Sequence, residues 1–242
     1  MQLDAGNLAA FYESAMGQAA RRMIARRLKL MWPRAHGLRV LGYGFALPYL
    51  RRYLGDAERV VALMPARTGV VAWPEGRPLS ALGAEDALPF ADAMFDRILV
   101  VHGLEGADAG RILLRQLWRV LAPEGRLVIV APNRASLWAQ VEASPFAHGR
   151  PFHRGELDAL LRDTLFEPLN WDRALYFPPA RRFAHFGAGW ERLGRRLLPG
   201  VAGVHLVESS KLLYGVAPSR KLKRAEPALA RAGVTQMLNN NL

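Results

Sequence analysis

The chain has no cysteine and only four lysines among its 242 residues. The absence of cysteine excludes disulfides, cysteine-ligated zinc, iron–sulfur clusters and a thiolate nucleophile, and it leaves the redox compartment undetermined. No apolar run reaches the roughly 18 to 20 residues that a membrane-spanning helix needs. The first residues lack the basic-then-apolar order of a signal peptide, so we expect a cytoplasmic location.

Arginine supplies nearly all of the positive charge, and the formal net charge is +12. Such a basic protein could bind an anionic partner such as nucleic acid or a membrane surface, but a GC-rich coding bias would produce the same arginine excess. The pattern of residues 4–32 predicts a helix that is broken near Gly17. The second half of this helix carries Arg22, Arg26 and Lys29 on the side opposite its apolar residues. That basic face could lie on anionic lipid or RNA, although a docked helix with solvated arginines is the preferred interpretation.

Beyond the N-terminal helix, apolar strands alternate with helices, which indicates a doubly wound α/β fold with a mostly parallel sheet. The predicted strands are 38–41, 59–63, 70–73, 95–101, 126–130, 169–176 and 204–216, and the predicted helices are 47–54, 108–121, 154–165 and 188–197. We expect three segments: an N-terminal helical lid (1–36), an α/β domain (37–217) and a flexible basic and polar tail (218–242).

Gly42-Tyr43-Gly44 follows the first predicted strand and opens directly into a helix. A strand, a glycine turn and a helix in that order let the backbone approach a nucleotide-like ligand, although a purely structural turn is equally compatible with the pattern. If the turn binds a ligand, Gly44→Val should abolish binding while leaving the fold intact.

Four segments carry a family resemblance: EDALPF (85–90), FD (95–96), HGLE (102–105) and LWRVLAPEGRL (117–127). In order and spacing they resemble the small-molecule and lipid branch of the class I S-adenosylmethionine-dependent methyltransferases, over residues 38–134. The resemblance implies a seven-stranded Rossmann-like sheet with an antiparallel last strand. It also implies S-adenosylmethionine as cofactor and methyl transfer to a small-molecule or lipid-like acceptor.

The resemblance also assigns site residues. Gly42, Tyr43 and Gly44 would approach the methionyl part of the cofactor, and Met64 and Pro65 occupy the ribose position. Asp86, Ala87 and Leu88 would border the adenine, with Asp86 accepting from its exocyclic amine and Leu88 packing on the ring. His102 would face the methyl group and is the best candidate for a base, although a histidine that only caps or hydrogen-bonds locally is the alternative.

Two family carboxylates are missing, since Val40 and Met64 stand where acids are usual. Loss of the ribose acid removes two charge-assisted hydrogen bonds of about 1.5–3 kcal/mol each, or roughly two to four powers of ten in affinity unless other groups compensate. The alternative function is therefore a catalytically silent methyltransferase fold that binds RNA, an anionic membrane or a protein through its arginines.

Other polar residues near the motifs have simpler interpretations. Glu105 is interpreted as an acid at a helix N-terminus, and Tyr12 either reaches the pocket or makes a core contact. His148 and His153 lack a carboxylate at suitable spacing, so no metal site is predicted. Without cysteine, methylation of pyrimidine carbon-5 is also disfavoured.

Overall fold

A computed structural model of the protein describes residues 4–180, 187–197 and 199–213. One sheet contains seven strands: β1 (Arg39–Gly44), β2 (Arg59–Pro65), β3 (Ser80–Gly83), β4 (Phe95–Val101), β5 (Leu121–Pro132), β6 (Phe166–Ala174) and β7 (Val204–Lys211). Their order is β3-β2-β1-β4-β5-β7-β6, and β7 runs antiparallel to both of its neighbours while the other pairs are parallel. The predicted fold class is confirmed.

Six helices cover the two faces of the sheet: α1 (Ala5–Glu13), α2 (Ala15–Met31), α3 (Leu47–Leu50), α4 (Gly110–Val120), α5 (Arg154–Asp163) and α6 (Gly187–Leu197). Alternate residues of each central strand enter opposite cores, as the pleat of a strand requires. Val40 packs in the core beneath α1, α2 and α3, whereas Leu41 packs beneath α4 and α5. The result is a three-layer α/β/α arrangement with apolar strands between helices.

The N-terminal helices are separated at Ser14 rather than near Gly17. Ser14 is extended, with ψ at 158°, and its hydroxyl caps α2 by accepting from the Gly17 amide at 3.1 Å. A Cβ on Gly17 would lie 1.9 Å from the Phe11 carbonyl oxygen. Gly17 therefore permits the close crossing of α1 and α2, and the serine cap makes the break.

The prediction of a third strand at residues 70–73 is wrong. The strand at that sheet edge is β3, which was not predicted and which pairs with β2. The Ser80 hydroxyl accepts from the Trp73 amide and donates to the Val71 carbonyl, so the predicted segment packs beside β3 instead of entering the sheet.

Two residues of the family motifs, Asp96 and Arg119, stabilise the fold at positions away from the glycine turn. Asp96 accepts from the Arg39 amide and from its guanidinium at 2.9–3.0 Å, which joins the starts of β1 and β4 and lowers the pKa of Asp96. The Arg119 guanidinium of α4 donates to the carbonyls of Leu88 and Phe90 at 2.7–2.8 Å. Arg119 thereby fixes the loop that follows β3.

The tail prediction (218–242) and the end of the predicted last strand lie outside the described residues. In the described part of the chain, no helix is long and apolar enough to cross a membrane. The division into a lid, an α/β domain and a tail stays a prediction.

Candidate active site

The strand order reverses between β1 and β4, and α/β sheets bind ligands at the carboxyl ends of such strands. Here the two strand ends approach closely. The Phe45 amide donates to the Val101 carbonyl at 2.7 Å, and Gly44 has a φ of +76°. A Cβ on Gly44 would lie 2.3 Å from that carbonyl oxygen. The glycine is therefore required by the contact with β4 itself.

His102 follows β4 directly and is fully enclosed. Its φ of +50° is unusual for a residue other than glycine, and such strain is often found at functional sites. Its Nε2 lies 2.9 Å from the Tyr12 hydroxyl, and its Nδ1 lies 3.3 Å from Oε1 of Glu105. The ring therefore stands between a phenol and a carboxylate.

Glu105 has a different role from the one predicted. Helix α4 begins at Gly110, five residues later, so the interpretation of Glu105 as a helix N-terminal acid is wrong. Its side chain is 1% exposed and turns toward His102. Neither carboxylate oxygen makes a hydrogen bond, and the His102 Nδ1 and the Tyr43 hydroxyl are also buried without one. Unpaired buried polar atoms are costly, so their concentration here indicates a site for a polar ligand.

Aromatic side chains surround His102. Tyr12 of α1 stacks on Phe45 with ring centroids 5.8 Å apart and an interplanar angle of 8°. Phe146 lies 4.7 Å from the His102 ring, and the Tyr49 hydroxyl lies 3.1 Å from that of Tyr12. Burial is the main cause that raises the pKa of Tyr12 well above its ordinary value, with further contributions from Tyr49 and Glu105, so the phenol stays protonated at neutral pH.

A pocket of about 350 Å³ opens at the carboxyl ends of β2 and β3, beside the start of α4. Its polar lining includes Glu85, Asp86, Arg67 and Asp108. Arg67 bridges the two outer acids, at 2.9 Å from Glu85 and 2.6 Å from Asp108, and the Asp108 amide donates to Glu85 at 3.0 Å. Its volume is in the usual range for small-molecule sites.

Some of the predicted cofactor residues line this pocket and others do not. Pro65 and Asp86 line it. Ala87 is exposed beside Asp86, whereas Leu88 is buried in the core beneath α4. Met64 is fully buried in the opposite core, so its side chain turns away from the pocket. No finding tests these assignments, and they stay predictions.

The sequence alone did not single out Arg67 and Asp108. The two residues are 41 positions apart, and neither belongs to a quoted motif. Glu85 entered the sequence analysis only as the first residue of the segment EDALPF (85–90). The sequence could have indicated that Glu85, Asp86 and Asp108 lie near one another. They follow β3 and β4, and the carboxyl ends of these parallel strands lie at the same edge of the sheet.

The remaining predicted residues do not line this pocket. Arg22, Arg26 and Lys29 are exposed on α2 while its apolar side is buried, which leaves the anionic partner untested. His153 caps α5, and a ring nitrogen of His148 bonds the Glu142 carbonyl. Within residues 4–180, 187–197 and 199–213, no group of three acidic or histidine side chains could hold a metal ion.

Comparisons with known proteins agree with this geometry. A methyltransferase domain family matches residues 40–129. A demethylmenaquinone methyltransferase of Thermus thermophilus is 30% identical over 175 residues, which cover 72% of this chain and 73% of that protein. Another, from Parafrankia, is 32% identical over 137 residues. That match covers 54% of this chain and about half (52%) of the Parafrankia protein.

Solved structures share the fold at low identity. A possible histamine N-methyltransferase from Thermotoga maritima superposes with a TM-score of 0.56 at 20% identity, covering 81% of this chain and 91% of that one. A Burkholderia thailandensis N1-methyltransferase solved with S-adenosylhomocysteine gives a TM-score of 0.51 at 20% identity, with coverages of 83% and 79%. At these identities the likeness shows the fold alone.

The fold and the strand-end site therefore define a Rossmann-like methyltransferase. Given the coverage of the Thermus relative, the chain belongs to the class I S-adenosylmethionine-dependent methyltransferases, a family of enzymes whose cofactor is S-adenosylmethionine. The comparisons do not support the catalytically silent alternative.

The residues at the strand ends fit this cofactor in part. The carboxylates of the 350 Å³ pocket offer acceptors for hydroxyl and amino groups, and the unpaired Tyr43 hydroxyl and Glu105 oxygens lack partners that a polar ligand could supply. The space beside His102 is filled by Tyr12, Phe45 and Phe146 in this structure.

Proposed function

We propose that this protein transfers a methyl group from S-adenosylmethionine to a small, lipid-like acceptor. The observation that carries the proposal is the buried His102–Glu105 pair at the end of β4, in which the His102 Nδ1 and both Glu105 oxygens lack hydrogen bonds and which precedes Asp108 of the carboxylate pocket by a few residues. Demethylmenaquinone, named for two relatives, is the first acceptor to assay.

Glu85, Asp86 and Asp108 would hold the nucleoside of the cofactor, in place of the acid that Met64 replaces. When bound, S-adenosylmethionine supplies an electrophilic methyl group on a sulfonium, so the protein mainly positions the acceptor and removes its proton. The Arg67 guanidinium keeps two of these carboxylates together at the pocket rim. Their hydrogen bonds would then offset the missing ribose acid.

His102 is the proposed base. Glu105 faces Nδ1, so the favoured tautomer carries its proton on Nδ1 and leaves Nε2 free to accept. The acceptor's proton would move to Nε2, and the resulting imidazolium would be stabilised by the buried carboxylate. Helix α1 lies over this nitrogen through Tyr12, and we propose that α1 acts as a lid that opens for the reactants.

Calorimetric titration with S-adenosylhomocysteine and a radiolabelled methyl-transfer assay with demethylmenaquinone, kept chemically reduced so that the acceptor is nucleophilic and carries a proton for the base, test the proposal. His102→Gln should keep S-adenosylhomocysteine binding and lower kcat by about a hundredfold, as loss of a general base does. The exposed His36, bonded only to Asp56 in an ion pair at 3.4 Å, gives the matched control His36→Gln. No binding at millimolar S-adenosylhomocysteine would contradict the proposal, and so would equal turnover in the two variants.

Glu105→Gln separates a functional carboxylate from a structural one. The Glu105 carboxylate is buried, makes no hydrogen bond and has only the 3.3 Å contact with His102, so the neutral amide should raise the free energy of unfolding, by about 1 kcal/mol, while turnover falls. Loss of stability together with unchanged turnover would show that Glu105 serves only the fold.

A further inference from the structure

We propose that helix α6 docks this protein on the surface of an anionic lipid membrane. The docking residues are exposed and lie on α6 and just beyond it; they are Leu193, Arg195, Arg196, Leu197 and Val201, and we name them the α6 surface. The proposal adds a partner to the methyltransferase. It concerns a part of the molecule that neither the carboxylate pocket nor His102 uses.

Helix α6 is held to the fold by its inner side. Glu191 is buried and accepts from the Leu175 amide at 3.2 Å and from the Tyr176 amide at 2.9 Å. A Cβ on Gly194 would lie 2.6 Å from the Cβ of Tyr176, so the helix backbone lies close against that residue. The orientation of α6 is therefore fixed by its contacts with the chain just after β6.

The outer side of α6 is apolar, whereas the exposed side of a surface helix is usually polar. Leu193 and Leu197 lie about one helical turn apart and are 52% and 62% exposed. Val201, just beyond the helix, is 42% exposed. Single exposed apolar residues are ordinary, but three within nine positions form an apolar surface that indicates an interaction site.

The charges beside these leucines identify the partner. Residues 187–207 contain three arginines and one acid, Glu191, which is buried. Arg195 and Arg196 are exposed next to the leucines. In an interfacial helix the leucines enter the boundary between headgroups and acyl chains, and the guanidinium groups bind lipid phosphates. RNA would bind the arginines but leave the leucines in water, so the combination favours an anionic membrane.

The α6 surface lies near the edge of the sheet that holds the candidate site. Helix α6 follows the carboxyl end of β6 and precedes β7, whose first residue pairs with Pro132 at the end of β5. The Asn133 side-chain amide donates to the Gly200 carbonyl at 3.0 Å and to the Ala202 carbonyl at 2.8 Å. These bonds fix the segment that presents Val201, at the same sheet edge as the end of β4.

The first test uses the absence of cysteine, because a single introduced thiol can be labelled specifically. Leu193→Cys would carry an environment-sensitive fluorophore, and Leu82→Cys on β3 is the matched control, since Leu82 is 45% exposed at the opposite end of the strand order. Vesicles of phosphatidylglycerol and phosphatidylcholine should shift the emission at position 193 to the blue, and brominated acyl chains should quench it. Position 82 should show neither effect.

Two outcomes of this test would overturn the proposal. One is an unchanged emission at position 193, or equal changes at positions 193 and 82. The other is a response of position 193 to an RNA oligonucleotide but not to vesicles, which would identify a nucleic-acid surface instead.

The second test separates the α6 surface from diffuse attraction by the net charge. Arg195→Gln/Arg196→Gln should weaken sedimentation with phosphatidylglycerol vesicles about thirtyfold, because each arginine near an anionic membrane contributes about fivefold. Arg22→Gln/Arg26→Gln removes the same charge from the exposed face of α2 and should weaken it about threefold or less. Equal losses in the two pairs would refute docking by α6.

A third variant tests the apolar part of the α6 surface. Leu193→Ser/Leu197→Ser keeps every charge and should weaken vesicle binding at least tenfold, whereas Leu82→Ser should not. Because these positions are exposed, all variants should unfold at the wild-type temperature, which circular dichroism checks. Unchanged vesicle binding in the serine pair would overturn the insertion of α6.

The vesicle measurements need neither cofactor nor acceptor, so this proposal and the proposed function fail separately. If S-adenosylhomocysteine binds but vesicles do not, the methyltransferase function stands and docking by α6 is refuted. If vesicles bind through α6 but S-adenosylhomocysteine does not bind, the proposed function fails and the membrane surface stands.

Discussion

Gly44→Ala tests how the site is built. Adding a Cβ to a glycine has two costs, the strain of a positive φ and a steric clash, and the three glycines of this region combine them differently. Gly44 combines a φ of +76° with a Cβ position 2.3 Å from the Val101 carbonyl oxygen and 2.8 Å from the Gly103 backbone. Gly37 has a φ of +67° with open space around its Cβ position. A Cβ on Gly42 would lie 2.5 Å from the flexible end of Leu50 and 2.9 Å from the Cβ of Ala46.

The expected magnitudes follow from these contacts. Gly37→Ala should lose about 1 kcal/mol of unfolding free energy, the cost of a left-handed conformation for alanine. Gly44→Ala should lose that amount plus the buried Phe45–Val101 hydrogen bond and the displacement of two backbones, together about 3–5 kcal/mol. For a chain of this length that is roughly a 10 °C decrease in Tm. Gly42→Ala should fall between them, because the Leu50 side chain can move, whereas the Ala46 Cβ can move only with its backbone.

Urea unfolding followed by circular dichroism measures all three variants under the same conditions. The reasoning is refuted if Gly44→Ala is as stable as Gly37→Ala. This geometry also revises the expectation that Gly44→Val would leave the fold intact, since any Cβ there collides with the main chain of β4. Ligand-binding losses in Gly44 variants must therefore be read beside their stability.

Three further predictions concern side chains. Arg119→Ala should lose about 1–3 kcal/mol of unfolding free energy, measured in urea, because the Leu88 and Phe90 carbonyls lose their donor. Arg119→Lys should not restore this stability, since one ammonium cannot replace the planar guanidinium with its several N–H donors. Burial lowers the pKa of His205 to about 4, so stability should fall as pH decreases from about 6.5 to 4, by up to roughly 3 kcal/mol. His205→Leu should flatten that part of the pH–stability curve, and an unchanged slope would contradict the burial effect. Glu85→Gln should weaken S-adenosylhomocysteine binding about tenfold by calorimetry, whereas the exposed control Glu124→Gln should not.

Sequence periodicity predicted most of the sheet because the central strands are continuous apolar runs. The prediction for β4, residues 95–101, matches the observed strand, since both faces of that strand are covered by helices. The edge strand β3 was missed for the opposite reason. Its middle residues Ala81 and Leu82 are exposed, so no apolar pattern distinguishes it from a loop.

The site itself depended on contacts that no local pattern contains. Tyr12 and His102 are 90 positions apart, and they meet only because the crossing at Gly17 places α1 over the end of β4. The sequence by itself determined the fold family, because apolar period and motif spacing are local properties, and it supplied the prediction that His102 is a base at a strand end. Only the tertiary structure decided that Glu105 faces His102, that Met64 turns into the core and that Tyr12 fills the space beside His102, because burial and pairing depend on which distant elements pack together.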